Sequence, residues 1–99
     1  MMNKVEWIEQ TARVANLSVS DTESALRAGL RCIEDALSRG ERVHLAGFGV
    51  FDIEFYRARI GREPQTGAAI PIPSRIKPVF RPAKHLTETV ARHLEVPDD

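Results

Sequence analysis

Residues 57–73 read Arg-Ala-Arg-Ile-Gly-Arg-Glu-Pro-Gln-Thr-Gly-Ala-Ala-Ile-Pro-Ile-Pro, and this stretch decides the fold. Three arginines lead into Pro64, turn residues follow as far as Gly67, and an alternation of isoleucine and proline runs back. The stretch has too few large apolar side chains to bury itself. It is therefore predicted to project from the body as a two-stranded ribbon, the arm. Pro71 and Pro73 cannot donate to a ladder, which favours an exposed edge over a central strand.

The charge of the arm indicates a polyanionic partner. Its arginines, Arg57, Arg59 and Arg62, precede a rigid apolar proline at the tip. The narrow, electronegative minor groove of DNA attracts arginine side chains, and an apolar wedge can unstack a base step there. A minor-groove contact is therefore the first functional hypothesis.

The charges of the whole chain cancel, but they are segregated. The 99 residues hold 14 Lys and Arg against 14 Asp and Glu. Residues 1–54 carry a net −3 (six basic, nine acidic), residues 55–85 a net +6 (seven against one) and residues 86–99 a net −3 (one against four). One basic block between acidic flanks is expected of an element that binds a polyanion. The acidic flanks predict modest affinity and strong salt sensitivity.

Two helices are predicted before the basic block. Asn3 can cap a first helix over residues 4–15, and Ser18 or Ser20 can cap a second. Apolar residues at steps of three and four mark the second helix, and Gly40 is suited to end it.

After this helical body, residues 1–40, the apolar period changes from 3.6 to 2, which indicates strands. The sheet and arm are predicted over residues 42–81, with the arm at about 57–73, and a final helix over residues 83–94. The expected fold is a single α+β domain, residues 1–99. It has two N-terminal helices, a three-stranded antiparallel sheet extended into the β-ribbon arm, and a short C-terminal helix.

A body this small has little core once the arm is set aside, so dimerisation is expected. The single cysteine, Cys32, excludes an internal disulfide framework and fits a reducing compartment. No signal peptide or membrane-spanning apolar run is evident, which predicts a soluble intracellular protein.

Five short motifs follow one another along nearly the whole chain: Asn3-Lys4, Gly47-Phe48-Gly49-Val50-Phe51, Gly61-Arg62-Glu63-Pro64-Gln65-Thr66-Gly67, Ile70-Pro71-Ile72-Pro73 and Phe80-Arg81-Pro82-Ala83-Lys84. In this order and spacing they resemble the HU and integration host factor family of bacterial DNA-bending proteins. A lone Gly-Phe-Gly is a weak signal, whereas the combination is specific.

The resemblance implies an intertwined dimer, either a homodimer or a heterodimer, whose two arms embrace double-stranded DNA. Pro64 would match the family's intercalating proline, and Arg57, Arg59 and Arg62 its basic arm positions along the minor groove. This wedge mechanism is carried over from the family. The other residues expected at DNA are Thr66, Arg75, Lys77, Arg81, Lys84, Lys4 and Gly47. The shared core would be built by Trp7, Leu26, Leu30, Ile33, Phe48, Phe51 and Phe80.

The chain departs from the family pattern at Glu63, since Asn or Lys usually precedes the proline. A carboxylate beside the wedge costs on the order of 1 kcal/mol per unit charge at a few ångströms. The neutral overall charge is a second departure, because many members are strongly basic. Both bear on how strongly the chain binds DNA, and neither alters the expected fold.

Architectural DNA binding with bending and low sequence specificity is the favoured function, in the cytoplasm and on the nucleoid. The alternative is a heterodimer subunit or protein-interaction module with weak intrinsic DNA binding. An enzyme is not expected, because His44, His85 and His93 have no metal-ligand spacing and no nucleophile or phosphate-loop motif occurs. The sequence gives no sign of catalytic residues, a metal, a cofactor, a membrane segment or a small-molecule substrate.

Overall fold

The computed structural model describes residues 1–97. Its elements in chain order are α1 (Lys4–Ala15), α2 (Val19–Ser38), β1 (Val43–Leu45), β2 (Gly49–Tyr56), β3 (Arg59–Arg62), β4 (Ala69–Ile72), β5 (Arg75–Pro82) and α3 (Lys84–His93). This order confirms the predicted α+β class. The chain divides into two compact units, of which the first is Met1–Ala36 and the second begins at Leu37. The single domain over residues 1–99 stays a prediction, and residues 98 and 99 lie outside the described part.

Helix α1 begins after a capping asparagine. The Asn3 side-chain oxygen accepts a hydrogen bond from the Glu6 amide at 2.8 Å. The helix ends at Ala15, and the following residue, Asn16, takes a left-handed φ of 55°. Between these ends Ile8 and Ala12 are buried. The predicted bounds of this helix are confirmed.

Helix α2 is capped by the first of the two candidate serines. The Ser18 hydroxyl accepts a hydrogen bond from the Asp21 amide at 3.0 Å. Two residues after the C-terminal end of α2, Gly40 takes a φ of 77°, a conformation in which a residue with a Cβ would be strained. Local chemistry therefore sets both the start and the stop.

Strands β1, β2 and β5 form the predicted three-stranded antiparallel sheet, with β2 in the centre. An aromatic cluster marks its apolar face: the Phe80 ring centroid lies 4.9 Å from that of Phe51 and 5.5 Å from that of Phe48. Gly49 is required beside this cluster, because a Cβ there would lie 2.5 Å from the Phe80 ring.

Much apolar surface is exposed on the single chain. On the apolar face of the sheet, Phe55 and Ile76 are 62% and 66% exposed. None of the residues expected to build a shared core is buried, namely Trp7, Leu26, Leu30, Ile33, Phe48, Phe51 and Phe80. This exposure agrees with a core that a second chain completes.

Strands β3 and β4 form a separate two-stranded sheet in the arm. Tyr56 pairs with Arg75 at the end of the main sheet, and Arg59 pairs with Ile72 at the start of the arm, in one continuous register. Residues 57–58 and 73–74 lie outside both sheets. The sequence analysis predicted a sheet that extends into the arm; in the structure, this short unpaired segment separates the two. Pro73 lies in this interruption, whereas Pro71 is paired with Ile60 within the ladder.

Helix α3 begins one residue later and ends one residue earlier than the predicted range 83–94. No side chain caps its start, but the Ala83 amide donates to the Phe48 carbonyl at 2.9 Å. This bond fixes the start of the helix against the β1–β2 turn. Within residues 1–97, no helix combines the length and the hydropathy needed to cross a membrane.

Candidate nucleic-acid interface

The tip of the arm is a tight turn that exposes Pro64 to solvent. The Gly67 amide donates to the Glu63 carbonyl at 2.7 Å, and the Glu63 amide donates to the Ala68 carbonyl at 2.9 Å. Gly67 has a φ of 71°, which favours glycine. The Thr66 hydroxyl accepts a bond from the Ala68 amide at 3.3 Å, so Thr66 helps to hold the turn. The proline is therefore presented on a braced loop.

The three arm arginines are all exposed. Arg57 lies in the interruption before β3, whereas Arg59 and Arg62 lie on opposite faces of the ribbon, because successive side chains of a strand alternate. The Arg62 guanidinium donates to the Gly67 carbonyl at 3.2 Å. Among the described residues no carboxylate forms an ion pair with any of the three. The arm thus carries unneutralised positive charge on both faces.

A second group of candidates lies on the main sheet, on the face opposite the aromatic cluster. This polar face consists of Asp52, Glu54 and Tyr56 on β2 with Arg75, Lys77 and Arg81 on β5. The three basic residues were predicted to contact DNA. The sequence analysis gave Asp52, Glu54 and Tyr56 no role at the site. Their alternation with the apolar residues of β2 nevertheless indicates that they share the face opposite the aromatic cluster.

Carboxylates neutralise Arg81. One of its terminal nitrogens lies 3.2 Å from Asp52, and the other contacts Glu54. Asp52 also lies 3.2 Å from Arg42, and its side chain is only 16% exposed. Arg81 can therefore reach a phosphate only if an ion pair opens or is shared.

The other two cations of the polar face contact an aromatic ring instead. The Arg75 Cζ lies 4.6 Å from the ring centroid of Tyr56, and the Lys77 Nζ lies 5.2 Å from it. Such cation–π contacts orient a cation without neutralising it. The Tyr56 hydroxyl donates a hydrogen bond to Glu54. Within residues 1–97, neither Arg75 nor Lys77 forms an ion pair with a carboxylate.

Lys4 and Lys84 are each the first residue of a helix, in the first and second unit respectively. A cation at this end opposes the helix dipole, so helix stability does not explain either lysine. Lys84 lies 3.7 Å from Glu88 in an exposed pair, which is expected to hold it weakly. Gly47 takes a φ of 79° in the β1–β2 turn.

The structure groups most of the predicted site residues. Five lie in the arm, namely Arg57, Arg59, Arg62, Pro64 and Thr66. Three lie on the polar face: Arg75, Lys77 and Arg81. Gly47 and Lys84 belong, like the arm and the polar face, to the second unit, whereas Lys4 belongs to the first. Within residues 1–97, no three His, Cys, Asp or Glu side chains are grouped as a metal site would require.

A cationic two-stranded arm on a small α+β body is the architecture that the resemblance implied. The family described as bacterial DNA-binding protein matches residues 2–91, and the chain belongs to this family. The resemblance to HU and integration host factor is thereby confirmed by relatives of both names.

The protein is 42% identical over 90 residues to DNA-binding protein HU 1 of Bacillus subtilis, covering 91% of this chain and 98% of the relative. It is 40% identical over 90 residues to integration host factor subunit beta of Methylococcus capsulatus, covering 90% and 95%. Among solved structures, an Anabaena HU–DNA cocrystal structure matches with a TM-score of 0.80 at 37% identity, covering 91% of this chain and 98% of that chain.

Proposed function

We propose that this chain is an architectural DNA-binding protein that bends the duplex with little sequence preference. It acts as a dimer, with a homodimer expected and a heterodimer as the alternative, on the nucleoid in the cytoplasm. The observation that carries the proposal is the arm, whose arginines lack carboxylate partners within residues 1–97 and whose tip exposes Pro64. The proposed function involves no catalysis, metal, cofactor or small-molecule substrate.

The two faces of the arm suit the two walls of the minor groove. A ribbon inserted in the groove has one DNA strand on each side, so Arg59 and Arg62 reach different phosphate backbones. Arg57, at the interruption, reaches the entrance of the groove. Such contacts respond to groove width and deformability more than to base identity, which explains the low sequence preference.

Pro64 supplies the bend. Inserting an apolar side chain between two base pairs costs a few kcal/mol of lost stacking, which the extra contacts of a bent duplex offset. The hydrogen bonds between Glu63, Gly67 and Ala68 keep the tip from collapsing when the proline is pushed into the stack. Thr66 braces the same turn and lies close to the DNA.

The body contributes phosphate contacts. The cations for these contacts are Arg75, Lys77 and Arg81 on the polar face, together with Lys84 and Lys4. Gly47 offers its backbone amide to a phosphate. The related Anabaena HU was crystallised with DNA, which supports the assignment of the same class of ligand here. Because Arg81 is paired, the body is expected to add less affinity than its count of basic residues implies.

The test is a mobility-shift titration together with a bending measurement by fluorescence resonance energy transfer. Pro64→Ala should reduce the bend more than the affinity. Arg59→Ala with Arg62→Ala should lower the affinity and reduce the magnitude of the slope of log K against log salt by roughly 0.9 per arginine. Arg13→Ala with Arg92→Ala is the control, since it removes the same charge elsewhere. Unchanged bending and affinity in both arm variants would refute the arm mechanism.

A heterodimer subunit with weak intrinsic binding is the second candidate, and the neutralised Arg81 favours it. If the purified protein gives no shift at low salt but shifts DNA when a second subunit is added, this alternative replaces the homodimer. A shift by the purified protein alone at low salt favours the homodimer.

A further inference from the structure

An expected ion pair is missing on the polar face. Glu54 and Lys77 are direct cross-strand partners, a position where opposite charges normally attract each other. The structure instead gives Glu54 two other partners. Its Oε1 contacts Arg81, and its Oε2 accepts the hydrogen bond from the Tyr56 hydroxyl. Within residues 1–97, Lys77 forms no ion pair.

The Tyr56 ring meanwhile contacts the same lysine. The Lys77 ammonium lies 5.2 Å from the ring centroid and the Arg75 guanidinium carbon lies 4.6 Å from it. The ring attracts both cations electrostatically but accepts none of their classical hydrogen bonds, so their N–H groups remain available for an anion. A carboxylate in the same place would use those N–H groups and cancel the charge.

We infer that Tyr56 is a positioning residue for DNA binding, acting through Lys77 and Arg75. Its hydroxyl anchors one oxygen of Glu54 on the tyrosine and its ring orients the two cations, so both can meet a phosphate without a carboxylate partner. The inference rests on the proposed DNA-binding function. It explains why, among the described residues, Lys77 stays unpaired on this face although Glu54, its direct cross-strand partner, contacts Arg81.

The decisive variant is Tyr56→Phe, which keeps the ring and removes only the hydroxyl. Glu54 Oε2 is then open to Lys77, and an exposed pair of that kind should weaken DNA binding by about twofold to fivefold. The magnitude of the salt slope should fall by roughly 0.9 for each Lys77 that leaves its phosphate. Tyr56→Leu removes the ring as well and should weaken binding by about a further twofold to fivefold.

The dependence on Glu54 separates positioning from a merely structural role. In a Glu54→Gln background, Tyr56→Phe should have no effect on the affinity or the salt slope, because no carboxylate remains to capture Lys77. In a Glu41→Gln background, which changes the same charge at the Arg39 pair, the effect of Tyr56→Phe should persist. Lys77→Met should also abolish the effect.

Several outcomes would overturn the inference. An unchanged slope in Tyr56→Phe, or an equal loss of affinity with and without Glu54, shows that Tyr56 does not protect Lys77. Thermal denaturation of each variant shows whether a loss of affinity comes from unfolding instead. If it does, Tyr56→Phe is compared in the Lys77→Met background, where an unchanged loss of affinity refutes the role of Lys77. If the unaltered protein fails to bind duplex DNA at low salt, the proposed function itself fails, which is a different result.

Discussion

Asp52 and Arg81 are joined by an ion pair of 3.2 Å on the polar face of the sheet. They are not direct cross-strand partners, because Arg81 lies opposite Val50 and its guanidinium reaches diagonally. The same carboxylate lies 3.2 Å from Arg42 and is 16% exposed. One partly buried side chain therefore withholds two arginines from any phosphate nearby.

Replacing this carboxylate should strengthen DNA binding. Asp52→Asn frees Arg42 but leaves Arg81 in contact with Glu54, so the magnitude of the salt slope should increase by up to roughly 0.9 for Arg42 and by less for Arg81. Fluorescence anisotropy at several salt concentrations measures both the affinity and the slope. Asp35→Asn is the matched control, because its partner Arg31 lies 4.0 Å away in an exposed pair on α2. Weaker binding by Asp52→Asn would show that Asp52 aligns Arg81 rather than withholding it.

The acid beside the wedge gives a second prediction. Glu63 precedes Pro64, and its backbone, rather than its carboxylate, holds the tip turn. Glu63→Gln should therefore leave the turn intact and tighten DNA binding by up to about fivefold, since one repulsive charge near phosphates is removed. Glu9→Gln on α1 removes an equal charge away from the arm. Equal affinity of Glu63→Gln and the unaltered protein in mobility shifts would place the carboxylate away from DNA.

The start of α2 offers a stability prediction with an internal control. Ser18 caps the helix through its hydroxyl, whereas Ser20 lies in the first turn. Ser18→Ala should lower the free energy of unfolding by about 1 kcal/mol per chain, and Ser20→Ala should change it far less. Urea denaturation at one fixed protein concentration measures both, because the stability of a dimer depends on concentration. A larger loss in Ser20→Ala would contradict the assigned cap.

Two glycines of the second unit should respond differently to alanine. A Cβ at Gly49 would lie 2.5 Å from the Phe80 ring and 2.7 Å from the Arg81 carbonyl oxygen, neither of which can move easily. At Gly61 the close atom is Cδ1 of Ile72, also at 2.7 Å, at the end of a side chain that can rotate. Gly49→Ala should lower the free energy of unfolding by about 1–3 kcal/mol. Gly61→Ala should cost clearly less, and equal melting temperatures would refute this account.

The sequence was sufficient where local chemistry decides the structure. Asn3 and Ser18 offer side-chain oxygens to free amides, and Gly40 permits a left-handed turn, so the helix ends could be placed to within a residue or two. The arm could be predicted because its arginines and prolines are unsuited to a core. These features depend on residues close together in the chain.

Contacts between distant residues could not be predicted in the same way. The partners of Arg81 lie 27 and 29 residues before it, and only the strand register brings them together. The interruption of the arm likewise involves residues 57–58 and 73–74, which only this register places opposite each other. The register itself follows once the turn is centred between Gln65 and Thr66. Which cation Glu54 contacts, Lys77 or Arg81, still depends on the geometry of the side chains.

The interruption between the sheet and the arm has a mechanical consequence. Residues 57–58 and 73–74 lack ladder pairing, yet the register is the same on both sides of them. Tilting the arm at this joint breaks no paired residues and lets neither strand slip past the other. If the proposed dimer grips DNA with two such arms, we expect this joint to let them close on duplexes of different curvature while the sheet beneath them stays as it is.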